Sequence, residues 1–199
     1  PGLVEAADLI GSTQIQGRAT IVGNLCNGSP AADSVPAQIA AGATVSVIGP
    51  SGERIEKVEN IPTGPSKTSL KKGELISAVH IPAKEKNAGD AYLRFIPRTE
   101  MDIAVVGCAV GLRLDDGIIT EARVALGAVA PTVLLVDECA QAIIGTKLDK
   151  EALKKLAQAA ESACNPIDDK RGTIEFRTDI AGVLAVRTAK KAYDRAQGK

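Results

Sequence analysis

Four aromatic side chains, Tyr92, Phe95, Phe176 and Tyr193, have to serve 199 residues that contain no tryptophan. With apolar residues at 45% of the chain, the interior must be filled by Ala, Val, Ile and Leu, and no platform for stacking nucleic-acid bases is available. The composition is otherwise that of an ordinary globular protein, far from the polar signature of disorder. Lys+Arg and Asp+Glu both number 24, so the formal net charge is zero and no overall field draws the chain to nucleic acid or an anionic membrane. The length suffices for a core without disulfides or a structural metal. Cys26, Cys108, Cys139 and Cys164 stand far apart with no C-x-x-C pair, so spacing gives neither a zinc nor an iron–sulfur site. No apolar run reaches the ~20 residues of a membrane span, and the opening Pro-Gly-Leu-Val-Glu lacks the marks of a secretory signal. Reduced thiols in a cytoplasmic protein are the expectation.

Hydrophobic periodicity orders the rest. Leu3, Ala6, Ala7 and Ile10 fall at i, i+3, i+4 and i+7, the stripe of a short amphipathic helix over 3–10. Gly11 to Gly17 is polar, and the Asn/Gly clusters of Arg18 to Pro30 predict an irregular loop. Asp33 or Ser34 can cap a following helix that turns Val35, Ile39 and Ala40 inward and stops at Gly42. Strands are expected at Thr44–Ile48, turning at Pro50-Ser-Gly52, and at Glu74–Ile81, with Asn60–Ser66 as a loop between them. The polar stretch Ala83–Asp90 marks a boundary. Beyond it Tyr92–Ile96, Ile103–Leu114 and Ile118–Val129 predict an antiparallel sheet with Asp115-Asp-Gly117 as a hairpin turn. Helices are expected over Asp137–Ile144, stopped by Gly145, over Asp149–Cys164, with Leu153, Leu156, Ala157 and Ala160 inward, and over Thr178–Ala196. The cations Arg187, Lys190, Lys191 and Arg195 complement the dipole of that last helix and read as a solvated helix end.

Few residues suggest chemistry on their own. Gly23-Asn-Leu-Cys-Asn-Gly28 mimics the opening of a P-loop, but Ser29-Pro30 stands where Lys and Ser/Thr are required, which removes nucleotide triphosphatase chemistry. What remains is a Gly/Asn/Ser loop, dense in backbone N–H groups and followed by a helix N-terminus. It is either a nest for a diphosphate or a tight connection between helices. His80, the only histidine, ends a strand with no second imidazole, H-E-x-x-H or Ser-His-Asp set, and reads as structural. Arg94-Phe-Ile-Pro-Arg98-Thr-Glu100-Met-Asp102 gathers charges at a strand end, as an ordinary turn or as an anion or cofactor contact.

The run Ala19-Thr-Ile-Val-Gly-Asn-Leu-Cys-Asn-Gly-Ser-Pro-Ala-Ala-Asp-Ser-Val-Pro36 closely resembles the second flavin-binding segment of the FAD subunits of molybdenum hydroxylases, the xanthine dehydrogenase and carbon monoxide dehydrogenase family. Further matches follow in order: Thr63-Gly-Pro-Ser-Lys-Thr68, Gly73-Glu-Leu-Ile76 before Ile81-Pro82, Tyr92-Leu-Arg-Phe95, Arg98 through Asp102-Ile-Ala104, and Ala125-Leu-Gly-Ala-Val-Ala-Pro131. The resemblance implies an α+β chain. Residues 1–85 would be the C-terminal part of a flavin-binding α+β domain, and residues 88–199 an antiparallel sheet with C-terminal helices. It implies an electron-transfer subunit that carries FAD and has no substrate-oxidising site of its own. Such subunits take electrons from 2Fe–2S clusters in a small subunit and pass them to NAD or another acceptor, while a large subunit holds the molybdenum cofactor.

By the same resemblance, Thr20, Ile21, Val22, Gly23 and Asn24 line the FAD diphosphate and adjoining chain, and Ser29 supports the loop. Asp33 accepts a hydrogen bond from a cofactor polar group, and Ile76 and Arg94 match positions beside the adenine or the isoalloxazine. N–H groups and small residues suit phosphates, and a cation near the ring suits a reduced, anionic flavin. Two departures stand out. The family reads Thr-Ile-Gly-Gly-Asn where this chain has Val22 in place of the first Gly, a residue that does not favour positive φ. Weaker or altered flavin binding is therefore an expectation, and a scaffold subunit that has lost its flavin is the alternative. The family's first flavin segment, of Ala-Gly-Gly-Thr type, does not occur in these residues, which implies the C-terminal portion of an FAD subunit with that segment on a preceding or separate chain. The organic substrate is not written in the motifs, nor is the choice among NAD, quinone, ferredoxin and oxygen as acceptor.

Overall fold

The computed structural model describes residues 1–99 and 101–199. Glu100, one of the charges in the run from Arg94 to Asp102, lies outside the described residues. Four short helices come first: α1 (Gly2–Asp8), α2 (Thr13–Gln16), α3 (Ile21–Cys26) and α4 (Ser34–Ala40). Then β1 (Thr44–Gly49), β2 (Gly52–Lys57) and β5 (Leu75–His80) form an antiparallel sheet in the order β2-β1-β5, and the small pair β3 (Pro62–Gly64) and β4 (Lys67–Thr68) falls between β2 and β5 in the chain. A second antiparallel sheet runs in chain order through β6 (Ala88–Phe95), β7 (Val106–Asp115), β8 (Ile118–Gly127) and β9 (Leu134–Leu135). Helices α5 (Asp137–Ile143), α6 (Lys150–Ser162) and α7 (Ile174–Ala196) close the chain. The α+β expectation, with an antiparallel sheet and C-terminal helices, holds.

The turn chemistry acts as the sequence says. Asp116 and Gly117 both take positive φ, 47° and 77°, the geometry that a two-residue hairpin between right-twisted strands requires. Gly42, at φ 69°, ends α4: its N–H donates to Ile39 O and that of Ala43 to Gln38 O, the paired bonds that satisfy a helix C-terminus. The expected loop from Arg18 to Pro30 is overturned, because it contains α3. Thr20 caps that helix, its Oγ1 accepting from Gly23 N–H at 2.9 Å, and Leu25 is fully buried. Cap and core contact outweigh the poor helix propensity of Gly23 and Asn24. Likewise α2 interrupts the polar stretch before it, β3 begins inside the expected loop, and α7 starts four residues before Thr178, where Thr173 Oγ1 accepts from Phe176 N–H. β2 was not anticipated, since it is an exposed, charged edge strand without an apolar face.

The shortage of aromatics is met by bare backbone. On β7, Val106, Cys108, Val110 and Leu112 join the core with α6 and α7, while Gly107, Ala109 and Gly111 alternate to the face beneath α4. A Cβ on Gly111 would lie 2.6 Å from Ala40 O, and one on Gly127 would lie 3.0 Å from Pro36 Cγ. On the other face of the sheet, a Cβ on Gly89 would overlap Ala192 O and reach within 2.6 Å of Ala196 N in α7. Both helices therefore press on the sheet almost backbone to backbone. Burial pushes the thiols of Cys108 and Cys139 up to about 12, so both stay protonated.

The basic end of α7 is less solvated than its sequence suggests. Glu5 of α1 accepts from Arg195 Nη2 at 2.5 Å, from Lys191 Nζ at 2.5 Å and from Tyr92 N–H at 3.1 Å. The Arg195 hydrogen bond is the chief reason its carboxyl falls from 4.5 to about 2. Because the folded value lies below the ordinary one, this stabilisation is complete above pH ~4.5 and is lost as pH falls through about 2. Glu5→Gln is expected to cost about 2 kcal/mol at neutral pH, and urea unfolding at pH 3 should show a smaller difference from the parent than at pH 7.

Candidate flavin site

Thr13 through Thr20 are exposed, as is Gly23. In the stretch from Gly11 to Asn24 the only charged side chain is Arg18, and no acid is present. The first-turn N–H groups of Ile21 and Val22 have no partner within α3, as at any helix start. Asn24 Oδ1 accepts from Ser34 N–H at 3.1 Å and from Ser34 Oγ at 2.7 Å. A backbone donor thus fixes the orientation of that amide and turns the Nδ2 donors the other way. Ser29 Oγ accepts from Ala31 N–H at 3.2 Å, bracing the loop between α3 and α4. Val22 is half-buried and packs with Leu25 and Ile76 against the core of the first sheet. It is absent from the positive-φ positions, so the conformational objection to valine there does not apply. Ile76, 8% exposed, backs α3 from β5.

Asp33 occupies the N-cap position of α4 but makes no side-chain cap bond; the Ser34 amide goes to Asn24 instead. Its Oδ2 accepts from Arg94 Nη1 at 2.8 Å and its Oδ1 from Tyr92 Oη–H at 2.9 Å. Arg94 Nη1 also donates to Leu9 O at 2.8 Å, beyond the end of α1. The side chains are 5% exposed for Arg94 and 11% for Asp33. Burial raises the Asp33 carboxyl, opposed by the Arg94 charge and the Tyr92 hydroxyl. Burial and the adjacent carboxylate push the Tyr92 hydroxyl well above its usual range. The sequence offered Asp33 and Arg94 as separate contacts, whereas the fold joins them in one buried pair. Sequence reasoning missed Tyr92 as a member, although residues 92 and 94 share a strand face.

Two other polar groups singled out by the sequence make their contacts away from this turn. Asp102 accepts from Arg98 Nε at 3.2 Å and from Arg171 Nε at 3.1 Å, which ties that charged turn to the connection between α6 and α7. His80 Nε2 lies 2.8 Å from Ser46 Oγ on the neighbouring strand. The remaining arrangement fits FAD. An acid-free exposed turn with free N–H groups, a bare Gly23 and the Asn24 amide suits a diphosphate. An ionised carboxylate accepts up to about four hydrogen bonds, so Asp33, slightly exposed, retains capacity for a cofactor hydroxyl or amine.

Residues 1–84 match the FAD binding domain in molybdopterin dehydrogenase, and residues 91–192 match the CO dehydrogenase flavoprotein C-terminal domain. The chain belongs to the FAD-binding medium-subunit family of the molybdenum hydroxylases. This medium-subunit chain is 36% identical over 197 residues to the carbon monoxide dehydrogenase medium chain of Afipia carboxidovorans, an alignment covering 99% of this chain and 68% of the relative. It is 32% identical over 200 residues to the xanthine dehydrogenase FAD-binding subunit of Escherichia coli O157:H7, covering 100% and 68%. The carbon monoxide dehydrogenase from Hydrogenophaga pseudoflava which lacks the Mo-pyranopterin moiety of the molybdenum cofactor superimposes with a TM-score of 0.94 at 34% identity, covering 98% of this chain and 68% of that one. The chain thus spans about two thirds of the length of these relatives. It is an oxidoreductase subunit with an FAD-binding domain, and among the described residues no helix is long and apolar enough to cross a membrane.

Proposed function

We propose that this medium subunit carries FAD and relays electrons from 2Fe–2S clusters in a small partner subunit to an acceptor such as NAD, with the molybdenum cofactor in a large partner subunit. The observation that carries this reading is the acid-free turn of Thr20 to Asn24 beside the buried Asp33–Arg94 pair, on a chain of the FAD-binding family. Bound FAD supplies a carrier able to take electrons singly or in pairs. The protein's own part is to bind and orient it. Thr20 shapes the turn, while the N–H groups of Ile21 and Val22, the bare Gly23 and the Asn24 amide receive the diphosphate. Ser29 holds the loop, Ile76 supports α3 from behind, and the Arg94 charge opposes burial and favours the ionised form of Asp33, which accepts from the cofactor. In this reading residues 1–85 form the flavin-binding part and residues 88–199 the C-terminal part of a cytoplasmic complex. Val22 lies outside the positive-φ positions and gives no conformational ground against flavin binding; a flavin-less scaffold subunit is the alternative reading.

The test is reconstitution of the complex with and without this chain. Without it, the flavin absorption should vanish and acceptor reduction should stop, while substrate still reduces the iron–sulfur clusters. A flavin-free complex with full acceptor turnover would overturn the proposal.

A further inference from the structure

We infer that Tyr92 is a positioning residue for the flavin site, its hydroxyl holding the Asp33 carboxylate in place for the cofactor; this rests on the reading of Asp33 as a cofactor contact. Tyr92 is 2% exposed and its hydroxyl donates to Asp33 Oδ1 at 2.9 Å. The two residues are 59 positions apart, so the bond joins the start of α4 to β6. Arg94 alone leaves the carboxylate free to rotate about its bond to Oδ2, and the hydroxyl removes that freedom by engaging the other oxygen.

Room for the hydroxyl is built into the neighbouring strand. A Cβ on Gly107 would lie 2.7 Å from Tyr92 Oη and 3.4 Å from the ring carbons beside it. No side chain other than glycine's would leave the phenol where it is. Gly107 pairs with Arg94 across the ladder, so one β6–β7 contact places both groups that hold Asp33. Glu5 fixes the same residue from its backbone, accepting from Tyr92 N–H at 3.1 Å. The titratable and charged groups at this cluster are Asp33 at the start of α4, Arg94 and Tyr92 on β6, and Glu5 on α1, which reaches it through the Tyr92 backbone; Cys108 of β7 lies on the opposite face of the sheet. The Tyr92 bond favours the ionised form of Asp33.

The test uses the flavin-containing complex with Tyr92→Phe, which keeps the buried ring, and Gly107→Ala, whose added methyl meets the Tyr92 hydroxyl before any other group. Each is expected to weaken FAD binding about tenfold, measured by FAD titration of the deflavinated complex. In Tyr92→Phe, FAD should also be released at a higher pH on acidification, because Asp33 protonates earlier; a merely structural tyrosine would not move that profile. Asp33→Asn separates the role of Asp33 from that of Tyr92. If Asp33→Asn binds FAD like the parent, the cofactor role of Asp33 fails and the Tyr92 role with it. If Asp33→Asn loses FAD while Tyr92→Phe and Gly107→Ala keep both parental affinity and the parental pH profile, the Tyr92 role alone is overturned.

Discussion

Gly89→Ala is expected to destabilise the chain by at least about 3 kcal/mol, which for a protein of this size lowers the melting temperature by about 6–12 °C. The backbone at Gly89 is not left-handed, so alanine brings no conformational strain of its own. The whole effect is steric: the added methyl would meet Ala192 O and Ala196 N, atoms fixed in the hydrogen-bonded ladder of α7. No rotamer change relieves that overlap, and α7 must lift from β6. Calorimetry of parent and variant decides the matter. A melting temperature within about 2 °C of the parent would show that α7 does not rest on β6 as described.

Arg94→Met should cost about 3–5 kcal/mol, the usual penalty when one partner of a buried ion pair is removed and the other charge is left behind. Methionine keeps much of the aliphatic volume, so the loss falls on the bonds to Asp33 and Leu9 O. The pH dependence identifies the cause. Without Arg94 the Asp33 carboxyl is raised further by burial, and a group raised in the folded state favours folding as it gains its proton. The gap between variant and parent should therefore be widest at neutral pH, narrow as pH falls through the raised Asp33 value of the variant, and change little below about pH 4, the ordinary carboxyl value. Denaturant unfolding at several pH values tests this, and a gap independent of pH would assign the loss to packing instead.

The second sheet was largely legible because its signals are local. The Asp116-Gly117 turn fixes one hairpin, and alternation along residues 106–114 marks a strand with one small and one bulky face. The cap at Asp149, with Oδ1 accepting from Glu151 and Ala152 N–H, is equally local. The helix α3 was hidden because its propensity is poor and its stability comes from burying Leu25 against residues far along the chain. At the site, resemblance supplied Thr20, Gly23, Asn24, Asp33 and Arg94 as separate names. It could not supply their partners, since Asn24–Ser34, Asp33–Tyr92 and Arg94–Leu9 are tertiary choices. The Asp33 side chain abandons its helix cap for Tyr92 and Arg94, a preference that exists only once β6 lies alongside.

The strip of Gly107, Ala109, Gly111 and Gly127 under α4 has a mechanical consequence. A helix bedded on leucines can slide or tilt while the side chains change rotamer, but main chain against main chain has no such compliance. The end of α4 that bears Asp33 and Ser34 is therefore fixed by the hydrogen-bonded frame of the sheet itself. In the reading proposed above, a cofactor that contacts Asp33 would meet a seat whose shape is already set.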